Sequence, residues 1–515
     1  MTLHPHFDPS LLEPETIVNH VQDLVKVNEP TPHFKILDVL IEQFEPLDFE
    51  LSAFPEVEQL RDQLKKLDPE CDQAKMILKK LIRLKIKRQH YIVLCIEKVL
   101  AMASKNQWGL CKNHDFIYVF NSAFWSCIEK ESFQKFLGEA AEKMGVSWDL
   151  ARYYQFREQL FKQFLATAYL PTPVPRKDIV HINLKNGTFE VTSDGIRLRP
   201  FNSADFLTYQ LPFEYNSNAT APIFQAYLDR VLPDRRRQMI LAEYLGFIFM
   251  RNGGGTTKEE KALVLYGSGA NGKSVFYEVV NALLGPENVS CYSLQSLTDE
   301  TGYYRAMLAN KLVNYASEIN GNLETSIFKQ LVSGEPVEAR LPYGQPFTLN
   351  QYAKLIFNCN ELPREVEHTK AYFRRFLIVP FEVVITESEQ DKRLHYKIIE
   401  TELSGVFNWV LEGLHRMLRN KRFTDCEAVR LATELYEKQS DSIRLFVEEN
   451  GYQNSSHSYV LIKVLYNDYR CFCIEDGFRP VNKSNFIRRL HDQGISIDRK
   501  NFGNVAYLVK SSESC

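Results

Sequence analysis

Apolar and polar positions alternate in three different rhythms along this chain. From Glu56 to about Ser104 the period is helical, in QLRDQLKKL and then DQAKMILKKLIRLKIKRQHYIVLCIEKVLAMA. Residues 129–168 and 395–440 share that rhythm. Strand-like alternation sits at FIYVFNSAFW (116–125), a hairpin around Asn121-Ser122, and at IVHINLKNGTFEV (179–191), a hairpin on Lys185-Asn186-Gly187. A third kind of segment is short, continuously apolar and bounded by turns: ALVLY before Gly267, KLVNYA before Ser317, KLIFNC before Asn360 and FLIVP after Arg375. Such runs predict strands buried on both faces, as in a parallel sheet covered by helices.

These rhythms divide the 515 residues into a helical N-terminal region (1–110), an α+β domain (111–240), an α/β core (241–395), a helical connector (396–440) and a small C-terminal domain (441–515). Composition changes this picture little. An apolar fraction of 44% and a charged fraction of 25% are ordinary for a soluble globular protein. A net charge of −3 gives no global attraction to nucleic acid, so any such binding must use local patches. Ten scattered cysteines without zinc spacing predict reduced thiols in a cytoplasmic protein. The acidic, Pro-containing start is unlike a signal peptide, and no apolar run approaches the ~20 residues that span a bilayer, so no membrane partner is expected. LAEYLGFIFM (241–250) is expected to be a buried helix.

Charge is uneven. Between Lys75 and His90 lie seven positive charges and no negative one. Two readings stand, a solvated helix face or a phosphate-contacting surface, with a membrane-surface helix a poorer third. The triplet Arg235-Arg236-Arg237 reads as a surface charge cluster, and Asp48 and Glu50 as surface acids rather than a metal site.

The candidate chemistry begins where ALVLY meets Gly267-Ser268-Gly269-Ala270-Asn271-Gly272-Lys273-Ser274 and then VFYEVVNALL. Strand, glycine-rich turn, Lys-Ser and helix occur in the order a phosphate-binding loop requires. Glycines let backbone N–H groups cradle phosphate oxygens, and the helix start adds its positive dipole end. Lys273 is assigned to the β- and γ-phosphates of ATP and the Ser274 hydroxyl to Mg²⁺. Glu318, at the end of the next apolar strand, is the candidate carboxylate beside metal and attacking water. Asn360, at the tip of the following strand, can donate to phosphate and accept from water. Arg374 and Arg375 precede the last strand, where an arginine can reach a neighbour's γ-phosphate. The separations are 45 residues from Lys273 to Glu318, 42 to Asn360 and 14 to Arg374.

On the strings GSGANGKS, KLVNYASE, SGEPVEARLPYGQPFTL, KLIFNCNELP and AYFRRFLIVPF, the chain resembles the superfamily 3 helicases of phage and plasmid primase-helicase proteins. Residues 183–234 resemble the domain that precedes the helicase there, and residues 440–490 its C-terminal domain, so the similarity covers about 112–510. The resemblance implies an α/β P-loop NTPase with an AAA+-like core, working as a homo-hexamer that uses ATP and Mg²⁺ to move along one DNA strand. It places a DNA-gripping hairpin around Arg340 and Tyr343, though no lysine stands at the tip. The C-terminal region has a winged-helix layout, with Lys483, Ser484, Asn485, Arg488 and Arg489 on a helix that could face duplex DNA, or an ordinary solvated one, and Arg499 and Lys500 on a following wing. No primase is expected in residues 1–110, so a separate primase or initiator is the expected partner. The expected function is ATP-dependent unwinding in replication of a phage, plasmid or other mobile element. A non-processive DNA-remodelling initiator or defence ATPase, and more remotely a small-molecule kinase, are the alternatives.

Overall fold

A computed structural model describes residues 30–69, 71–113, 116–168, 179–252, 259–317, 319, 323–342, 344–363 and 367–511. The chain divides into two compact units, Met1–Tyr215 and Asn216–Cys515.

In the first unit the helical rhythm of 56–104 becomes three helices, Glu56–Lys65, Asp72–Arg83 and Arg88–Lys105. They follow two shorter ones, His33–Gln43 and Phe49–Ala53. Gly109–Asn113, Phe116–Phe120 and Trp125–Ile128 form an antiparallel sheet with that strand order. Helices Lys130–Lys143 and Tyr154–Thr167 pack on the Arg88–Lys105 helix through Phe133, Phe136, Phe156 and Phe164, joined by Ile96 and Val99. The expected hairpin at 179–191 is present as Val180–Leu184 and Gly187–Val191, and Ile196–Arg199 adds a third strand.

The second unit is a mixed α/β structure around five parallel strands. Across the sheet they run Phe376–Pro380, Ala262–Tyr266, Lys354–Cys359, Val313–Ala316 and Val289–Ser290. In chain order that is fifth, first, fourth, third, second. All but the short Val289–Ser290 edge strand are almost wholly buried, as their continuous apolar runs require. Register sets Val264 level with Phe357 and Ile378, and Phe357 level with Ala316. The C-terminal ends of the four long strands therefore share one edge of the sheet. In open parallel sheets ligands bind at that edge, beside the strand where the order reverses, here Ala262–Tyr266.

Helix Pro222–Val231 and the first turns of Arg235–Ile248, which the sequence places before 241, lie in this unit, which begins at Asn216. Glu402 accepts from the backbone N–H groups of Ile223 and Phe224 at 2.9 and 2.8 Å, closing the start of the first helix. The second crosses Leu403–Asn420 where Gly413 meets Ala242; a Cβ on Gly413 would lie 2.3 Å from the Ala242 carbonyl oxygen. Beside that crossing, fully buried Glu243 binds Arg416 at 3.0 Å and the Thr424 N–H and hydroxyl at 2.8 and 2.6 Å. The Arg235–Arg237 triplet is not a uniform surface cluster. Arg237 is largely buried and donates to the Pro380 carbonyl and to Glu382, both at 2.8 Å.

Residues 441–511 form their own small core of Ile443, Phe446, Leu465, Tyr469, Phe486 and Leu490. Helices Ser442–Glu449, Ile462–Glu475 and Lys483–Asp492 precede an antiparallel hairpin, Ile497–Lys500 with Gly503–Ala506. Among the described residues no helix is long and apolar enough to cross a membrane.

Candidate functional site

Tyr266 ends its strand and the chain turns through Gly267–Gly272 into the helix Lys273–Leu284. Gly269, Ala270 and Gly272 take left-handed φ values of +109°, +48° and +86°, the local reason glycine dominates here. Gly267 is required by space: a Cβ there would meet the Asn271 side-chain nitrogen and the Phe381 carbonyl oxygen, each at 2.3 Å.

Neighbouring segments hold this loop on two sides. The Gly267 N–H donates to the Cys359 carbonyl at 3.1 Å, and the Phe381 N–H to the Tyr266 carbonyl at 2.6 Å. The Ile385 N–H donates to the Ala270 carbonyl at 2.7 Å. Asn271 Nδ2 donates to the Phe381 carbonyl at 3.1 Å. From the other side, buried Tyr227 donates its hydroxyl to the Gly272 carbonyl at 2.8 Å. Residues 381–385 thus strap the loop, and Tyr227 backs it.

Lys273 is buried, with its Nζ donating to the Gly267 carbonyl at 2.6 Å and to Asn271 Oδ1 at 3.0 Å. Both acceptors are neutral, and burial pulls the ammonium below the ordinary lysine range. Among the described residues no carboxylate pairs with it. A buried cation holding only carbonyl-type acceptors is suited to take an anion. Ser274 stands exposed on the first helical turn. For a metal ion the loop offers the Ser274 hydroxyl, and the described residues contain no cluster of three metal-ligating His, Cys, Asp or Glu side chains.

The strand Val313–Ala316 is anchored by its own side chains. Asn314 accepts from Ser290 Oγ and from the Tyr292 N–H, both at 2.9 Å, and Tyr315 donates to Asn358 Oδ1 at 3.0 Å. It leads to Ser317; Glu318 lies outside the described residues. Asn360 is exposed just past Cys359, whose carbonyl binds the phosphate-loop candidate and whose side chain lies near Lys273.

Arg374 and Arg375 are at the opposite edge. They precede Phe376, which pairs with Ala262, so Arg375 stands six residues along the strand, about 20 Å, from the level of Gly267. Their environments differ. Arg375 is buried, donating to the Ala371 carbonyl and, at 3.0 Å, to Ser333 Oγ. The Arg374 side chain is 63% exposed, held at 3.3 Å by Glu260. Glu260 also lies 3.5 Å from Arg375.

The remaining sequence candidates are dispersed. Val337–Arg340 and Pro346–Leu349 form a two-stranded hairpin, with exposed Arg340 donating to the Gly344 carbonyl at 3.0 Å; Tyr343 lies outside the described residues. Lys483 and Arg488 are exposed on their helix. Arg489 differs from its expected place on a DNA-facing surface. It is mostly buried and pairs with Asp441 at 2.5 Å, and Asp441 also caps the helix Ser442–Glu449. Tyr227, Glu260 and the strap at 381–385 were not legible as site residues, since each acts through a contact distant in sequence.

Residues 102–233 match the family described as "D5 N terminal like", and residues 265–375 match a family of unknown function, DUF5906. Among curated proteins the chain is 26% identical over 254 residues to "Putative helicase L207/L206" of Acanthamoeba polyphaga mimivirus, covering 46% of this chain and 26% of that one. It is 20% identical over 362 residues to "Putative helicase 121R" of Invertebrate iridescent virus 3, covering 61% and 37%. The match therefore spans only about a quarter to just over a third of these relatives' lengths. Among solved structures the apo C-terminal region of NrS-1 is similar, at 13% identity and a TM-score of 0.43, covering 81% of this chain and 98% of that one. The chain is thus similar, over parts of its length, to a D5-type N-terminal family and to viral proteins named as putative helicases.

Proposed function

We propose that this chain is an ATP-dependent DNA helicase of a viral, phage or plasmid replication system, built on a P-loop core of the superfamily 3 kind. The observation that carries the reading is Lys273. It is buried, without a described acidic partner, beside a left-handed glycine loop at the carboxyl edge of a parallel sheet.

In this reading the loop backbone and Lys273 bind the β- and γ-phosphates, with Lys273 exchanging the Gly267 carbonyl for phosphate oxygen. Ser274, together with Glu318, would hold Mg²⁺, which supplies positive charge between the phosphates. Asn360 orients the attacking water. Arg374 is the arginine that serves the adjacent protomer, because it is exposed and lies at the sheet edge away from its own phosphate loop. Arg375 fixes the local structure. DNA passes the Arg340 hairpin inside a homo-hexameric ring, and the 441–511 domain, read as a winged helix, offers Lys483, Arg488 and Arg499 to duplex DNA.

The test is ATP turnover with and without single-stranded DNA, alongside native mass. Stimulation by DNA in a multimer is expected. A monomer whose turnover ignores DNA would reject the helicase and leave the small-molecule kinase. Strand displacement on a forked duplex separates processive unwinding from local remodelling.

A further inference from the structure

We propose that the outer face of the Asp72–Arg83 helix and the linker after it form a second nucleic-acid site, which binds a strand through its phosphates. The helix has two faces. Ala74 is buried and Ile77 and Leu81 are half-buried, while Met76, Leu78 and Ile82 are exposed, and its main packing partner is the helix Glu56–Lys65. On the outer face Lys79, Lys80 and Arg83 are exposed, and Lys85 and Lys87 continue the exposed series in the linker, alternating with half-buried Leu84 and Ile86.

Among the described residues none of these five cations is held in an ion pair. Among the described residues Glu50 pairs with Arg61 at 2.5 Å and Asp62 with Lys65 at 3.0 Å, within the preceding helices. Arg88 does not belong to the surface; its guanidinium is turned inward, 5.5 Å from the Phe156 ring centre. In a chain of net charge −3 this is a local concentration of unneutralised positive charge, which attracts a polyanion.

Spacing favours a phosphate backbone over a membrane. Lys79 and Arg83 are one helical turn apart, a rise of about 6 Å, and Lys85 and Lys87 are about 6.6 Å apart if extended. Both separations are roughly twice the ~3.4 Å rise per nucleotide of a duplex strand. A membrane-inserting helix would present a continuous apolar stripe outward; here exposed Met76, Leu78 and Ile82, at 71%, 40% and 61%, are interspersed with exposed Lys79, Lys80 and Arg83. The site lies before residue 102, outside both matched family regions, and it does not depend on the ATP-site reading.

The experiment uses the full chain without nucleotide and a fluorescent mixed-sequence oligonucleotide, single-stranded and as a duplex, titrated across a range of salt. The variant carries Lys79→Gln, Lys80→Gln, Arg83→Gln, Lys85→Gln and Lys87→Gln. Its affinity for the single strand is expected to fall about tenfold or more, and its log–log salt slope to flatten by up to about 3.5, the loss of five phosphate contacts. A control with Arg at the four lysine positions is expected to bind as the parent does. Basal ATP turnover without DNA is expected to be the same in all three. The proposal is overturned if the Gln variant keeps the parent's affinity and slope. It is equally overturned if the parent binds phosphatidylserine–phosphatidylcholine vesicles and ignores the oligonucleotide.

Discussion

The two edges of the parallel sheet handle positive charge in opposite ways. At the carboxyl edge Lys273 is buried, bound among the described residues to neutral oxygens, beside a turn where Gly267 leaves no room for a Cβ. At the amino edge Arg374 and Arg375 share Glu260, and one of them stays on the surface. The carboxyl edge has the groups to receive phosphate within one chain. The amino edge has a cation facing outward and, by strand geometry, no phosphate loop of its own within reach. Under the proposed function, a site divided between chains would leave one half that looks like surface.

The strongest test of this contrast is Lys273→Ala, expected to take ATP turnover to background and to weaken nucleotide binding in a direct titration. Next is the arginine pair. Arg374→Ala is expected to leave nucleotide binding intact and to cut turnover about 10³-fold or more, with partial recovery when mixed with Lys273→Ala chains. Arg375→Ala is expected to act on folding, by about 1–3 kcal/mol in denaturant unfolding, since Ser333 and Glu260 lose a buried partner. Equal turnover defects, with no recovery on mixing, would break the distinction between the two residues.

A smaller effect is expected at Asn271. Asn271→Ala removes the acceptor that places Lys273 and the donor to Phe381, and about a tenfold loss in kcat/KM is expected, roughly the cost of one buried polar contact. Asn271→Asp keeps the acceptor and loses the donor, so steady-state kinetics of the two variants separate the roles.

An effect on stability rather than turnover concerns Lys354, which begins its strand at the amino edge. Its ammonium lies 4.3 Å from the Phe247 ring centre and donates to Asn252, and burial pulls it down to about 7. The folded form therefore releases this proton at a lower pH than the unfolded chain does. Its contribution to stability rises as pH climbs from about 7 toward the ordinary lysine range, where only the unfolded chain still holds the proton. Lys354→Met should flatten that part of a stability–pH curve measured by denaturant midpoints.

Local patterns were legible in the sequence, and pairings across the chain were not. The run from Gly267 to Ser274 is contiguous, so its turn and helix could be read directly, as could the four buried strands from their unbroken apolar runs. Asn271 meets the Phe381 carbonyl 110 positions away, and Arg489 meets Asp441 48 positions away. Nothing local to either marks the contact. The difference between Arg374 and Arg375 is likewise set by Ser333 and Glu260, which no motif connects to them. Residues 222–240 read as part of the preceding domain because the partners of their helices, Glu402 and Gly413, come much later in the chain.

The strand Phe376–Pro380 has a mechanical consequence. It begins at the arginines and ends at Phe381, whose N–H and carbonyl are both bonded to the turn around Gly267. A buried strand of five residues is stiff along its axis. One buried strand thus joins that turn, through two hydrogen bonds at its end, to the segment that carries Arg374.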